Sequence, residues 1–426
     1  MRGRLIPALI GGCLAGPAVA APETPPRLSE IVVSVSDLAR FLDALTGPLR
    51  GRVIERGPAD PSVARVLGLP VETPVDQALV AVGDRPGGRL RLVAVRRATD
   101  AETPAPIRPG GGWWDSGGLM NLSLAVADVA AARDGLRRLG WGTAGPIRVE
   151  GDGHHADLRG PDDLLLSLRD RAGGDTGFNG ISVVKDLDAW RRLVSGVFDL
   201  DAGKPRRATA VLPGLPDNTA NLGDHRETAV ALDGGPLTAW QWSRAGGRDV
   251  AGDVHAPNLG AIAVRVAVDD VARVAARAKA NGAPLAAELQ IEKLSPYGIV
   301  RTVGVRLPGG LTIEAFSPGA APMTEAELKT MFAGGGYATW VRFNNKLTGD
   351  VRWNADGTAH VRWDTGYLDE LGTWSIKGDA VCTPWTRLRS NREVCVHHFR
   401  LDQTTTEAFR IEGLQPDGIY HWRDTR

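Results

Sequence analysis

The chain has 426 residues with 50 basic and 50 acidic side chains, a formal net charge of zero. That balance excludes a field that would steer the protein onto nucleic acid or anionic lipid, so a small-molecule ligand is the expected partner. At roughly 150 residues per domain the length points to about three domains, and the glycines (53) and prolines (28) are spread among apolar runs, as in loop-rich globular sequence.

The first twenty residues carry Arg2 and Arg4, an apolar stretch from Leu5 to Leu14, and Ala18-Val19-Ala20 before a Pro-rich segment. This pattern predicts a secretory signal peptide over 1–20. A run of about ten residues interrupted by glycine is too short to span a bilayer. The mature protein is therefore expected to be periplasmic or secreted, with no transmembrane segment.

From Glu30 the chain repeats one grammar four times, at Glu30–Gly47, Asn121–Gly140, Phe178–Leu200 and Ala263–Gly282. Each copy has a short alternating strand, an Asp (Asp37, Asp128, Asp186, Asp270) and an amphipathic helix. An aspartate at that turn accepts the unpaired N–H groups of the first helical turn, so all four are predicted N-caps. In the first copy Ile31, Val33 and Val35 alternate with Val32, Ser34 and Ser36, the signature of a half-buried strand. Later strands are expected in every copy, with turns at Gly83 to Gly88, Gly160-Pro161-Asp162-Asp163 and Leu307-Pro308-Gly309-Gly310. A Pro- and Gly-rich linker, Thr103 to Gly118, separates the first two copies. Beyond Pro318 the character changes. Half of the twelve tryptophans lie there, a helix is predicted over Glu325 to Phe332, and Asn354-Ala355-Asp356-Gly357 and Lys377-Gly378-Asp379 mark hairpins.

The strand, helix and three-strand order, ending in GPDDLLLSL or LPGGLTIEAF, resembles the vicinal oxygen chelate superfamily of glyoxalase I, extradiol dioxygenases and bleomycin resistance proteins, over Leu28 to Pro318. The resemblance implies an α+β fold of four βαβββ modules. Paired in sequence, they form tandem domains over 27–171 and 175–318, each enclosing a cavity. The segment 323–426, with Ala355-Asp356-Gly357-Thr358, Gly372-Thr373-Trp374, Ile376, Gly378-Asp379 and Cys382, resembles small secreted, lipocalin-like β-domains. It is expected to be all-β and barrel-like.

Members of that superfamily hold a divalent metal with His, Glu or Gln from the first and last strands of paired modules. Carried onto this chain, the positions are Glu30, about Arg91, Asn121 and Ser167 in the first domain, and Asn179, about Thr238, Ala263 and Glu314 in the second. Only Glu30 and Glu314 are ordinary ligands, and consecutive pairing places them in different domains. Such metals want three or more N, O or S donors together, so neither a metal nor another cofactor is expected.

Without the metal, the candidate ligand-binding residues are Glu30, Asn121, Asn179, Trp240, Trp242, Arg265 and Glu314. Glu314 reads either as a cavity carboxylate or as a surface strand residue paired with an arginine. The pairs His154-His155 and His397-His398 read as solvated loop-edge histidines. The leading reading is an exported small-molecule-binding protein with a degraded metal site. One alternative is a lyase or dioxygenase-like enzyme using Glu314 with His225 or His255. The other is a structural or interaction protein with filled cavities. Cys382 and Cys395, the two cysteines beyond residue 20, are expected to form a disulfide.

Overall fold

The computed structural model describes residues 26–60, 63–64, 67–70, 72–82, 88–96, 104–110, 112–150, 153–170, 178–211, 222–243, 247–341, 348–364, 366, 369–385, 392–401, 403–410 and 416–423. The signal segment 1–20 and the turn at 83–87 lie outside them. The first module comprises β1 (Arg27–Ser34), α1 (Leu38–Thr46), β2 (Arg52–Pro58), β3 (Val75–Ala81) and β4 (Arg89–Val95). The second is β5 (Leu119–Val126), α2 (Val129–Arg138), β6 (Gly142–Thr143), β7 (Arg148–Glu150), β8 (Gly153–Arg159) and β9 (Leu165–Asp170). The third is β10 (Asn179–Val183), α3 (Leu187–Phe198), β11 (Arg206–Val211), β12 (Leu222–Val230) and β13 (Leu237–Trp242). The fourth is β14 (Gly260–Ala267), α4 (Val271–Ala280), β15 (Leu285–Leu294), β16 (Gly298–Arg306) and β17 (Thr312–Pro318).

Each module helix starts where its aspartate predicts. The side chains of Asp37, Asp128, Asp186 and Asp270 accept hydrogen bonds from the backbone N–H groups of Arg40, Ala131, Ala189 and Arg273, at 3.1, 2.8, 2.8 and 2.9 Å. The apolar stripes of these helices cover one face of the sheets and share a core. Ile31 and Val33 of β1 pack there with Phe41 of α1, Leu136 of α2, Trp190 of α3 and Val274 of α4.

The expected α+β architecture of four modules is present, but the modules do not pair in sequence. One sheet runs β15-β16-β17-β14-β1-β4-β3-β2, and the other runs β11-β12-β13-β10-β5-β9-β8-β6 with β7 beside β8. The first module is thus joined to the fourth through antiparallel β1 and β14, and the second to the third through β5 and β10. The spans 27–171 and 175–318 are consecutive lengths of chain, and neither closes a sheet of its own. The physical reason is that every module leaves its first strand with one unpaired edge. All four edges offer the same row of backbone groups, so local sequence does not specify which two meet.

The last segment contains α5 (Glu325–Phe332), β18 (Gly336–Val341), β19 (Thr348–Trp353), β20 (Thr358–Trp363), β21 (Asp369–Thr373), β22 (Ser375–Lys377), β23 (Ala380–Thr383), β24 (Val394–Arg400), β25 (Thr405–Arg410) and β26 (Pro416–Trp422). Its antiparallel sheet runs β21-β20-β19-β18-β26-β25-β24-β23-β22. The two outermost strands are separated in sequence by Trp374 alone, so the sheet curls until its ends nearly meet. Phe332 of α5 fills one part of the interior against Trp353, Trp374 and Trp422, with ring centroids 5.4, 5.0 and 5.2 Å apart. A cavity of about 20 Å³ remains among Trp340, Trp353, Trp385, His398 and Tyr420.

The expected disulfide is present. Cys382 and Cys395 are directly paired on β23 and β24, with Cα atoms 4.0 Å apart. The β-domain docks on β15, the outermost strand of the first sheet. There Glu407 accepts the Ile291 N–H at 2.6 Å, and Phe399 and Phe409 pack against Ile291. A carboxylate on a strand-edge N–H satisfies a donor that would otherwise invite further pairing. No helix among the described residues is long and apolar enough to cross a membrane.

Candidate functional site

Strand alternation decides what each concave face carries. In the first sheet Glu30 and Val32 of β1, Arg91 and Val93 of β4, Ala263 and Arg265 of β14, and Thr312 and Glu314 of β17 point away from the helices. Pairing the first module with the fourth therefore gathers Glu30, Arg91, Ala263 and Glu314 at one place. Sequence-order pairing put the two glutamates in separate domains. The crossed pairing puts them in one sheet, linked by an arginine.

Arg91 grips Glu30 in a bidentate pair, with Nε on Oε2 at 2.6 Å and Nη2 on Oε1 at 2.8 Å. Its remaining reach goes to Gln77 Oε1 at 2.8 Å, the Ser295 carbonyl at 2.5 Å and a second carboxylate, Glu55 Oε2, at 3.5 Å. Arg265 stands on the other side. Its Nε donates to Glu314 Oε2 at 2.7 Å and its Nη1 to Glu30 Oε2 at 3.2 Å, while Nη2 lies 3.7 Å from Glu292 Oε1. Glu30, Arg91, Arg265 and Glu292 are each 0 % exposed and Glu314 2 %. The expectation of a surface-facing Glu314 fails on burial, although its arginine partner is real.

Burial would raise the Glu30 carboxyl, but attraction and hydrogen bonds from Arg91, with attraction from Arg265, hold it at about 2. Glu292 goes the other way. Burial and the adjacent Glu314 carboxylate push it well above the usual range, and Arg265 only partly opposes them. Two carboxylates side by side in a dry site cannot both ionise cheaply. Each guanidinium thus faces carboxylate, Arg91 meeting Glu30 and Glu55 and Arg265 meeting Glu30 and Glu314, while Glu292 is pushed toward its protonated form.

This donor set does not fit a divalent metal. One ligand position is a methyl group, one is a guanidinium, and the two carboxylates already face cations. Among the described residues, one trio of His, Cys, Asp or Glu brings ligand atoms within 4.8 Å of one another. It is Cys382, Cys395 and Glu393, and its two sulfurs are bonded together.

Beside this network lies a cavity of about 230 Å³, with Ala263, Thr312 and Glu314 on the strands, Arg306 of β16 beside them, and His255 and Val254 from the segment before β14. Glu314 is the residue common to cavity and network. Its Oε1 receives a long 3.5 Å contact from Thr302, and the Glu292 carboxyl lies beside the group.

The second concave face is different. Asn121 donates through Nδ2 to Ser167 Oγ at 2.8 Å, and Ser167 Oγ donates to Asp157 Oδ1 at 2.6 Å. Asp157 also meets His155 Nε2 at 2.9 Å and accepts from Arg148 Nη2 at 2.8 Å. Burial would raise the Asp157 carboxyl, but His155, Ser167 and Arg148 together lower it. The opposite wall is aromatic. His225 lies over Trp240 with centroids 4.0 Å apart, and Trp242 meets Trp240 edge-on at 5.6 Å. Asn179 stands half-buried at the start of β10, opposite Ser123.

The candidate residues thus divide into two groups. Glu30, Arg265 and Glu314 meet in the first sheet, and Asn121, Asn179, Trp240 and Trp242 lie in the second. Of the two histidines considered as partners for Glu314, His255 shares its cavity and His225 belongs to the other sheet. His155 and His398 are buried, contrary to the solvated reading, because each occupies the inward position of a strand whose neighbour, His154 or His397, points the other way. Sequence reasoning missed Gln77, Glu292, Asp157 and Arg148. The one signal for Glu292 was Gln290 and Glu292 two apart in a strand, a polar pair on a single face.

No family model matches the chain, and no curated protein matches its sequence. Among solved structures it is similar to glyoxalase I from Zea mays, at 14 % identity and a TM-score of 0.48, covering 68 % of this chain and 92 % of that one. It is also similar to a glyoxalase family protein from Bacillus cereus, at 19 % identity and a TM-score of 0.30, covering 34 % of this chain and 95 % of that one. A glyoxylase/bleomycin resistance protein/dioxygenase domain from Frankia matches at 18 % identity and a TM-score of 0.25, covering 34 % of this chain and 97 % of that one. These are similarities of fold, and none transfers an activity to this chain.

Proposed function

We propose that the protein is an exported small-molecule-binding protein whose first concave face works without a metal ion. The observation that carries this reading is the buried Arg91–Glu30–Arg265–Glu314 chain, which fills with guanidinium groups the place where carboxylates would otherwise meet a cation. Beside it the cavity of about 230 Å³ leaves Glu314 in reach of a ligand. Export is supported by the charged, apolar and Ala-x-Ala order of residues 1–20, and the Cys382–Cys395 bond accords with an oxidising compartment.

A thermal-shift screen of small metabolites against the mature protein tests the binding role, because a ligand that prefers the folded state raises its melting temperature. A hit whose effect disappears in Glu314→Gln supports the site. Hits indifferent to Glu314 and to every other cavity residue would remove it.

The second reading, a lyase or dioxygenase-like enzyme, is favoured by one observation: His255 and Glu314 line the same cavity. Recovering the bound compound unchanged after prolonged incubation speaks for binding. Conversion that stops in His255→Gln speaks for the enzyme.

A further inference from the structure

The charges around the cavity specify what it takes. Below its floor each guanidinium already faces carboxylate, Arg91 meeting Glu30 and Glu55 and Arg265 meeting Glu30 and Glu314, so the network leaves no unmatched positive charge for a ligand. At the cavity wall is Arg306, half-buried, whose side chain has neither a hydrogen bond nor an ion pair among the described residues. A guanidinium facing a cavity without a counter-charge is a site for an anion, and its planar fork suits a carboxylate.

The strand register fixes where the second polar group lies. Arg306 is directly opposite Thr312, and Glu314 is two residues further along the same face of β17, roughly 7 Å away along the strand. Glu314 meets Arg265 at Oε2, a long Thr302 contact at Oε1 and the Glu292 carboxyl beside it; its two oxygens carry about four acceptor sites, so one remains for a ligand hydroxyl. The rest of the lining is small and aliphatic, with Val254, Ile262 and Ala286 among it. Resting on the reading of this cavity as a ligand site, we infer that it takes a small aliphatic hydroxy-carboxylic acid, its carboxylate on Arg306 and its hydroxyl donating to Glu314.

The test uses the full mature protein with 2-hydroxy-4-methylpentanoate and its uncharged amide as probes, followed by calorimetric titration. The acid is expected to bind at least about tenfold more tightly than the amide, and Arg306→Gln to weaken the acid by about tenfold or more while leaving the amide unchanged. Arg306→Lys is expected to recover part of the loss, since it keeps the charge without the fork. Arg306→Gln should leave the ligand-free melting temperature where it was, because Arg306 supports no other side chain.

Equal affinity for acid and amide, or an Arg306→Gln variant that binds the acid as well as the parent, overturns the anion assignment. If either compound still binds and Glu314→Gln abolishes it, the cavity remains a ligand site and only its ligand class is wrong. Failure of the acid to bind at up to about 10 mM overturns the assignment as well, while hits from the wider screen decide the binding role separately.

Discussion

Replacing Glu30 with glutamine should be among the most damaging isosteric changes in the first sheet. Glu30 accepts hydrogen bonds from Arg91 Nε, Arg91 Nη2 and Arg265 Nη1, and neither arginine is exposed to water. The amide keeps a single acceptor oxygen and no charge, so two buried guanidinium groups lose their shared counter-ion. Breaking a buried pair in this way costs about 3–5 kcal/mol, because the stranded charge keeps its desolvation penalty. For a unit of this size that is a melting-temperature drop on the order of 5–15 °C. Differential scanning calorimetry of Glu30→Gln at neutral pH measures it. The exposed Lys377–Glu393 pair supplies the control, and Glu393→Gln is expected to melt indistinguishably from the parent. A Glu30→Gln shift as small as the control's would refute the argument that this network is dry and tightly coupled.

Titration gives a second prediction, with opposite signs for the two glutamates. The Glu30 carboxyl is held at about 2 against an ordinary 4.5, so its contribution is complete above 4.5 and lost as pH falls through about 2. Glu292 is raised, so its contribution is complete below 4.5 and lost as pH rises through its folded value. Glu292→Gln, which imitates the protonated acid, should therefore match the parent near pH 5 and exceed it at about pH 8 in urea unfolding; a variant equally destabilised at both would contradict a raised Glu292 carboxyl. Reducing the Cys382–Cys395 bond, which spans 13 residues, should destabilise the β-domain by roughly 3 kcal/mol in the chain-entropy model. Hydrogen exchange localises that effect, and unaltered protection in β23 and β24 would count against it. Asp186→Ala should cost about 1 kcal/mol through the lost cap of α3, and chemical denaturation showing no change would mean that the cap contributes nothing.

What the sequence disclosed was whatever is encoded within one module. Asp37, Asp128, Asp186 and Asp270 announced their helices because a cap is a contact between residues three apart. The alternation of Ile31 and Val33 with Val32 and Ser34 gave the faces of β1 for the same reason. Arg265 and Glu314 were legible as candidates, but their relation to Glu30 was not. That depends on which first-strand edges meet across more than two hundred residues, and the four edges are chemically alike. Glu292 was missed because its importance comes from Glu314 and Arg265 lying against it, not from its own neighbours in the chain. The histidine pairs were misjudged because doublets in polar surroundings resemble loop edges until the strands place one member inside.

The central claim is that the first concave face, with Arg91 and Arg265 set against Glu30 and Glu314, does not hold a divalent metal ion. Elemental analysis of the mature protein, purified without chelator and then equilibrated with zinc, iron, nickel and manganese, addresses it most directly. The account predicts less than about 0.1 equivalent of any of these per chain after desalting, because no site among the described residues offers the three or more free donors that such ions require. About one equivalent retained per chain, and released by Glu30→Gln or Glu314→Gln, would contradict it.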